Sequence, residues 1–287
     1  MGGSHGTRGI ISRPGYIFFE GGMALLATYC RNTELGRRLD EALSPTHVLA
    51  RASSWDRILH LIRERPVAVA LVDLGALSSA PPPRKQLAEL RWRFPNLGLV
   101  LLVRADFDPG LLFQVGRTGI RNVVLMETEG ARASLVRGVA RARMNAPPML
   151  VTRSLSPYLP RREARAVYLA MDGVHCHWSA EEYADRVGLS RPFLSECLKG
   201  HGLPSVGHLL LWSRLLHAGH WLVEPGRTAE SVSRQLEYSS GAAFRRALKN
   251  YTGATPTEVI ERGGLRFVLS HFRRECGLGL PRPSAVA

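Results

Sequence analysis

Between Ser179 and Arg262 the chain carries one local plan twice, and few folds accommodate it. Ser179-Ala180-Glu181-Glu182 opens a helix: a serine hydroxyl accepts from an unpaired backbone N–H, and glutamates complement the positive helix start. Tyr183, Ala184 and Val187 give that helix an apolar stripe, Gly188 ends it, Leu189 packs inward, and Ser190 caps a second helix over Arg191 to Lys199. Forty-nine positions after Ser179, Thr228-Ala229-Glu230 opens a helix containing Val232 and Leu236. The chain breaks at Glu237-Tyr238-Ser239, and Ser240 caps a helix through Phe244, Arg245, Arg246, Leu248 and Lys249. Between the two lies a long predicted helix over 205–223, with Leu209, Leu210, Trp212, Leu215, Leu216 and Leu222 to bury. Helix, turn and capped helix is the helix-turn-helix plan, whose second helix enters the DNA major groove. A connecting helix would hold two such units so that both second helices meet one duplex face, about one helical turn apart.

On these residues the segment resembles the DNA-binding domain of AraC/XylS-type transcription regulators over nearly its whole length. The matching positions are Ala184, Gly188-Leu189-Ser190, Leu194, Leu198-Lys199, Gly202, Arg214, Ala218 and Leu222. The most specific stretch runs from Phe244-Arg245-Arg246 through Leu248-Lys249, Tyr251 and Gly253 to Thr255-Pro256. The resemblance implies groove-facing positions. In the second recognition helix these are Gly241, Ala242, Arg245 and Arg246, with Ser240 and Lys249 beside them; Arg246 matches an arginine that often reads a base. A guanidinium can bridge guanine O6 and N7, a contact worth ~1–3 kcal/mol of discrimination. In the first recognition helix they are Arg191, Pro192, Ser195 and Glu196. Glu196 departs from the family's usual long polar or basic residue, since a carboxylate accepts only from cytosine N4 or repels phosphate. Glu237-Tyr238 replaces the usual glycine-aromatic turn.

The first half alternates differently. Apolar runs at Met23–Thr28, His47–Ala50, Val67–Leu74, Leu97–Val103 and Asn122–Leu125 alternate with helical stretches at Glu34–Leu43, Trp55–Arg65, Arg84–Phe94 and Ala131–Met144. Such alternation predicts a buried parallel sheet with helices on both faces. Five units over this length resemble a response-regulator receiver, a flavodoxin-like α/β domain, and Asp73 at the end of the third run matches that family's phosphorylated aspartate. The rest of the pocket is missing. Thr28, Tyr29 and Cys30 stand where a metal-binding acidic pair belongs, Val103 or Arg104 replaces the hydroxyl residue, and Met126 replaces the lysine. Asp73 is thus a vestigial phosphorylation site, or simply a strand-end residue bonded locally. Leu111-Leu112-Phe113 with Val115, and the helix carrying Leu135, Val136 and Val139, would form a face for pairing two copies. Arg132, Arg137, Arg141 and Arg143 on that helix would line it or be solvated. Gly138 weakens the helical reading, since glycine costs ~1 kcal/mol there relative to alanine.

The expected fold is two domains, an N-terminal receiver-like sheet and a C-terminal all-α double helix-turn-helix. The expected boundaries are a flexible tail over 1–21, the receiver-like domain over 22–145, a linker over 146–165, the DNA-binding domain over 166–264 and a tail over 265–287. Leu265–Arg274 could add an amphipathic helix, and the end around Pro281-Arg282-Pro283 reads as disordered. A net charge of +14 favours a polyanionic partner. Yet residues 1–145 hold 20 basic and 12 acidic side chains and residues 146–287 hold 18 and 12, so charge does not locate the surface. No run is apolar enough to span a bilayer, and no signal peptide opens the chain, so the cytoplasm is the expected compartment. The cysteines Cys30, Cys176, Cys197 and Cys276 lack CxxC spacing, and neither His175-Cys176-His177 nor His217 with His220 makes a convincing metal site. There is no phosphate loop, nucleophile elbow or paired acid/base motif, so no enzyme activity and no cofactor are expected. The expected function is sequence-specific regulation of transcription without conventional phosphorylation. The expected partners are double-stranded DNA through its major groove and a second copy of the chain, with RNA polymerase a further candidate and no membrane. The alternatives are a switch through atypical Asp73 phosphorylation or a small ligand in the N-terminal fold, and an adaptor whose helix-turn-helix units bind protein.

Overall fold

The alternation of apolar runs with helical stretches in the first half has a direct structural expression. In the computed structural model, which describes residues 24–77, 81–104, 109–116 and 120–278, strands and helices alternate from Leu25 to Ala142. They run β1 (Leu25–Tyr29), α1 (Thr33–Leu43), β2 (Val48–Ala52), α2 (Trp55–Glu64), β3 (Val69–Asp73) and α3 (Pro83–Arg93). They continue with β4 (Gly98–Val103), α4 (Pro109–Gly116), β5 (Asn122–Leu125) and α5 (Ala131–Ala142). The strands are all parallel, in the order β2-β1-β3-β4-β5. That order is the flavodoxin-like one shared by receivers. Alternate residues of each strand face opposite layers. Leu25, Ala27, Tyr29, Ala70, Val72, Leu99 and Leu101 pack with α2 and α3, while Leu26, Val69, Leu71, Val100 and Leu102 pack with α1 and α5. Asn32 and Ser54 cap α1 and α2 by accepting from Leu35 N and Arg57 N. Gly138 proves compatible with α5 because of packing: a Cβ there would lie 3.1 Å from Val124 Cγ2, so glycine lets the helix approach the sheet.

The second half is helical among the described residues. Its elements are α6 (Pro147–Leu155), α7 (Arg161–Asp172), α8 (Ala180–Val187), α9 (Arg191–Gly200) and α10 (Val206–Trp221). After them come α11 (Ala229–Gln235), α12 (Gly241–Thr252), α13 (Pro256–Glu261) and α14 (Leu265–Glu275). One core joins them all, centred on Trp212, whose ring meets Tyr251 and Phe272 at 5.3 Å each. The segment expected as a linker differs from that reading. Pro147 and Pro148 sit in the first turn of α6, where a missing N–H costs nothing, and Val151 and Leu155 are fully buried in the helical core. The amphipathic helix expected near Leu265 is α14; Val268 and Phe272 are buried, and Arg273 donates to the Ser154 carbonyl at 2.7 Å. The tail expected over 1–21 and the end around Pro281-Arg282-Pro283 lie outside the described residues.

The two halves dock through polar groups. Asn96 donates from its side chain to the His220 carbonyl at 2.9 Å and from its backbone to Glu224 at 3.3 Å. Glu224 pairs with Arg227 at 2.5 Å, both side chains 1% exposed, and Arg227 lies over the rings of Phe94 and Trp221 at 5.4 and 4.9 Å. Gln235 at the end of α11 donates to the carbonyls of Ile62 and Arg63, which the end of α2 leaves unpaired within the helix, and reaches that of Arg65, which also accepts from Val67 N. Arg143, expected on a pairing strip or in solvent, is instead buried and bonded to Asp172 and Tyr168 of α7. His217 and His220 line this junction and are held neutral by burial, pushed down to about 4 and about 3. His217 Nδ1 donates to the Ser213 carbonyl at 2.8 Å, as expected of a structural histidine.

Candidate DNA interface

Each second helix of the two units is set by a short preceding helix and a capped turn. In the first unit, α8 starts in a capping box: Ser179 Oγ accepts from Glu182 N at 3.2 Å and Glu182 accepts from Ser179 N at 2.8 Å. Gly188 closes α8 at φ 84°, a left-handed conformation glycine adopts without steric cost. Ser190 occupies the cap position of α9, but its side chain makes no capping bond; Pro192 in the first turn sets the helix start instead. In the second unit, Thr228 and Ser231 form the capping box of α11, and Ser240 accepts from Ala243 N at 3.1 Å to start α12. Glu237 bridges these two helices at φ 50°. A left-handed residue other than glycine costs about 1–2 kcal/mol, which explains why a glycine there would be the relaxed choice.

Packing then decides which faces are left to solvent. On α9, Leu194 and Leu198 are buried, Arg191, Pro192 and Glu196 are exposed, and Ser195 is half-buried. On α12, Phe244 and Leu248 are fully buried, while Ala242, Arg245, Arg246 and Lys249 are exposed, as is the cap Ser240. Gly241 alone of the expected residues is buried, and a Cβ there would meet Glu230 Oε2 at 2.2 Å. Its part is therefore to let α12 start close against α11, with no side chain to offer a base.

The charged residues are not equivalent. Arg191 donates to Glu181 at 2.6 Å, and Arg245 lies 3.7 Å from Glu230, so both are tethered to the preceding helix of their unit. Arg246 and Lys249 stand exposed one helical turn apart on α12, with Glu258 near enough to Lys249 to feel its charge. Sequence reasoning passed over Phe193, a 47% exposed ring on α9 with Arg162 over it at 5.8 Å. Its only signal was an aromatic residue flanking two buried leucine positions out of phase.

At the end of β3, Asp73 is 3% exposed and accepts from Gly75 N at 3.1 Å, capping the short turn that follows. Cys30 donates to its other oxygen at 3.8 Å, and burial followed by the Asp73 charge pushes that thiol up to about 11. Thr28 and Tyr29 complete the end of β1, and Met126, 4% exposed, follows β5. Asp73 is thus bonded locally at a strand end, with neither acid nor lysine at the positions a receiver would use.

Two packed helix-turn-helix units behind a receiver-like sheet define a DNA-binding regulator. Residues 183–262 match the family described as a helix-turn-helix domain, which covers both capped units. No curated protein matches the chain. Among solved structures, RcsB from Salmonella enterica serovar Typhimurium bound to promoter rprA is 14% identical with a TM-score of 0.36, covering 65% of this chain and 97% of that one. FixJ from B. japonicum is 13% identical, TM-score 0.37, covering 65% and 94%. A putative pilus assembly-related protein from Burkholderia pseudomallei is 20% identical, TM-score 0.36, covering 45% and 96%. Likeness at this level carries no argument; the strand order above is what makes the domain receiver-like. No helix among the described residues is long and apolar enough to cross a membrane.

Proposed function

We propose that the protein regulates transcription by reading two adjacent major-groove segments with α9 and α12, in a sequence-specific manner. The observation that supports this best is the exposed pair Arg246 and Lys249 on a helix whose opposite face is fully buried. Arg246 is assigned to a guanine edge and Lys249 to phosphate; Arg245 and Arg191 reach DNA backbone once they leave Glu230 and Glu181. Ser240 and Ala242 lie at the entry of α12, and Pro192, Ser195 and Glu196 form the weaker reading face of α9. The DNA-binding domain, expected over 166–264, is proposed to extend from α6 to α14, since both helices share its core.

In this reading the receiver-like domain acts without conventional phosphorylation, because a phosphoryl group on Asp73 would find neither acidic metal site nor lysine. It pairs two copies through the α4–β5–α5 edge. There Phe113 is 74% exposed and Val123, Leu125 and Val136 are uncovered, an apolar surface that solvent disfavours. The pairing face is narrower than expected from sequence, since Val115, Leu135 and Val139 turn into the core. Paired copies would present four units to DNA and raise the effective affinity without new contacts.

Selection from a random duplex pool, run beside Arg246→Ala, tests the reading. The expected outcome is a motif of two segments about one helical turn apart, with discrimination relaxed at one or two base pairs in the variant. Equal specificity in the variant, or salt-sensitive retention with no enriched sequence, would remove α12 as a reading helix and leave protein binding as the role of the domain.

A further inference from the structure

A half-open cavity of about 230 Å³ lies in the C-terminal domain, walled by α7, α10 and the turn that leads into α12. Ala170, Val174, Leu210 and Trp178 make its apolar wall. Ser213, Arg214, His177 and Glu237 supply the polar groups. The volume exceeds the roughly 150 Å³ that admits benzene and falls short of a drug-sized site, so it suits a molecule with one ring or one branched chain.

Three features set this cavity apart from a packing gap. His177 and Glu237 are the two residues other than glycine that hold positive φ among those described, both at 50°, and their side chains meet at 3.2 Å across its rim. Backbone strain concentrated on one pair at a cavity is the pattern of a binding site. Arg214 is half-buried and has no acidic partner among the described residues; it rests over the Tyr238 ring at 5.3 Å. Tyr238 itself lies behind Arg214, outside the cavity lining, and its hydroxyl is buried without a hydrogen-bond partner. Finally, Gly173 has no Cβ because the Trp178 ring lies within 2.1 Å of where one would be, so the indole is seated firmly against the backbone.

The walls carry both signs of charge. Burial, more than any neighbour, lowers the His177 pKa, so a neutral imidazole donates one N–H to Glu237 and leaves the carboxylate further accepting positions. Arg214 offers a planar fork suited to a carboxylate. We propose that this cavity is an effector site for a small apolar α-amino acid, with Arg214 holding the carboxylate, Glu237 the ammonium and the apolar wall the side chain. Trp178 directly precedes the cap of α8, and Glu237 lies in the turn before α12. An occupant therefore touches both helix-turn-helix units and biases the spacing of their reading helices. That consequence rests on the DNA-binding reading above, whereas occupancy does not.

Calorimetric titration of the full chain without DNA separates the two. The probes are L-leucine, L-phenylalanine, 3-phenylpropionate, which lacks the ammonium, and phenethylamine, which lacks the carboxylate. Saturable binding of at least one amino acid is expected, with both analogues weaker by tenfold or more. Glu237→Gly and Leu210→Phe should each weaken binding at least tenfold. Glu237→Gly should also raise the melting temperature by about 2–4 °C by relaxing the left-handed backbone, which shows that lost binding is not lost folding. No saturable binding at millimolar concentration, equal affinity for 3-phenylpropionate, or unchanged affinity in either variant overturns the proposal. Amino-acid binding that leaves DNA affinity unchanged overturns its role as an effector site.

Discussion

Glu224→Ala puts the docking of the two domains under the heaviest load. The Glu224 and Arg227 side chains are each 1% exposed, so the substitution strands a guanidinium in a dry junction. Removing one partner of a buried ion pair costs about 3–5 kcal/mol. Here the lower end is expected, because the Phe94 and Trp221 rings already cover Arg227 and Gln235 Oε1 accepts from its Nη1 at 2.5 Å. Adding Arg227→Leu removes the stranded charge, but it leaves Gln235 Oε1 buried without its donor, at about 1–3 kcal/mol. The double variant should therefore regain roughly half of the loss and not all of it. Denaturant unfolding followed by far-ultraviolet dichroism and by tryptophan fluorescence measures both. Trp221 contacts Arg227, so its fluorescence should change before the dichroism once docking weakens, and the two curves should cease to coincide. A single variant within about 0.5 kcal/mol of the parent, or a double variant less stable than the single, would show that this junction is neither dry nor held by the pair.

Acid should weaken the same junction. Burial, ahead of neighbouring charges, holds His217 and His220 neutral, down to about 4 and about 3. Folded-state values lie below the unfolded one near 6.5, so the unfolded chain binds protons first as pH falls. Their contribution is therefore complete above about pH 6.5 and is lost as pH drops toward 4, about 3 kcal/mol for His217 alone; melting temperatures that stay level over that range would contradict it. Phe113→Asp should halve the mass measured by light scattering at micromolar concentration without altering the dichroism spectrum, and an unchanged mass would place pairing elsewhere. Asp73→Asn should leave DNA affinity the same within twofold, and treatment of the parent with acetyl phosphate and Mg2+ should give no stable label. Labelling that the substitution abolishes would restore the phosphorylation switch.

The strands were legible because a buried parallel sheet demands continuous apolar runs: the run read at Asn122–Leu125 is β5, and that at Leu97–Val103 is β4 with one residue to spare. The two units were legible because caps and glycine turns are local, with Ser179, Gly188, Thr228 and Ser240 each acting within four residues. Pro147-Pro148 misled, since two prolines open a helix as readily as they stiffen a linker. Gly241 was read as facing the groove, and contact with Glu230 of the neighbouring helix turned it inward. Arg143 was expected on a pairing strip or in solvent, and a partner 29 positions away buried it.

By itself, then, the order of residues determined the alternation of strands and helices in the first half, the parallel sheet, and the doubled unit whose exposed helix carries Arg246 and Lys249. Those features depend on interactions within a few residues, or on which face of an element is apolar. Tertiary structure alone decided how the two domains meet, which arginines are tethered, and that His177 and Glu237 face each other over a cavity. These depend on which polar groups lose water together. Gln235 and the end of α2 lie more than 160 positions apart in the chain, and only the folded core brings the Ile62 and Arg63 carbonyls of one to the amide of the other.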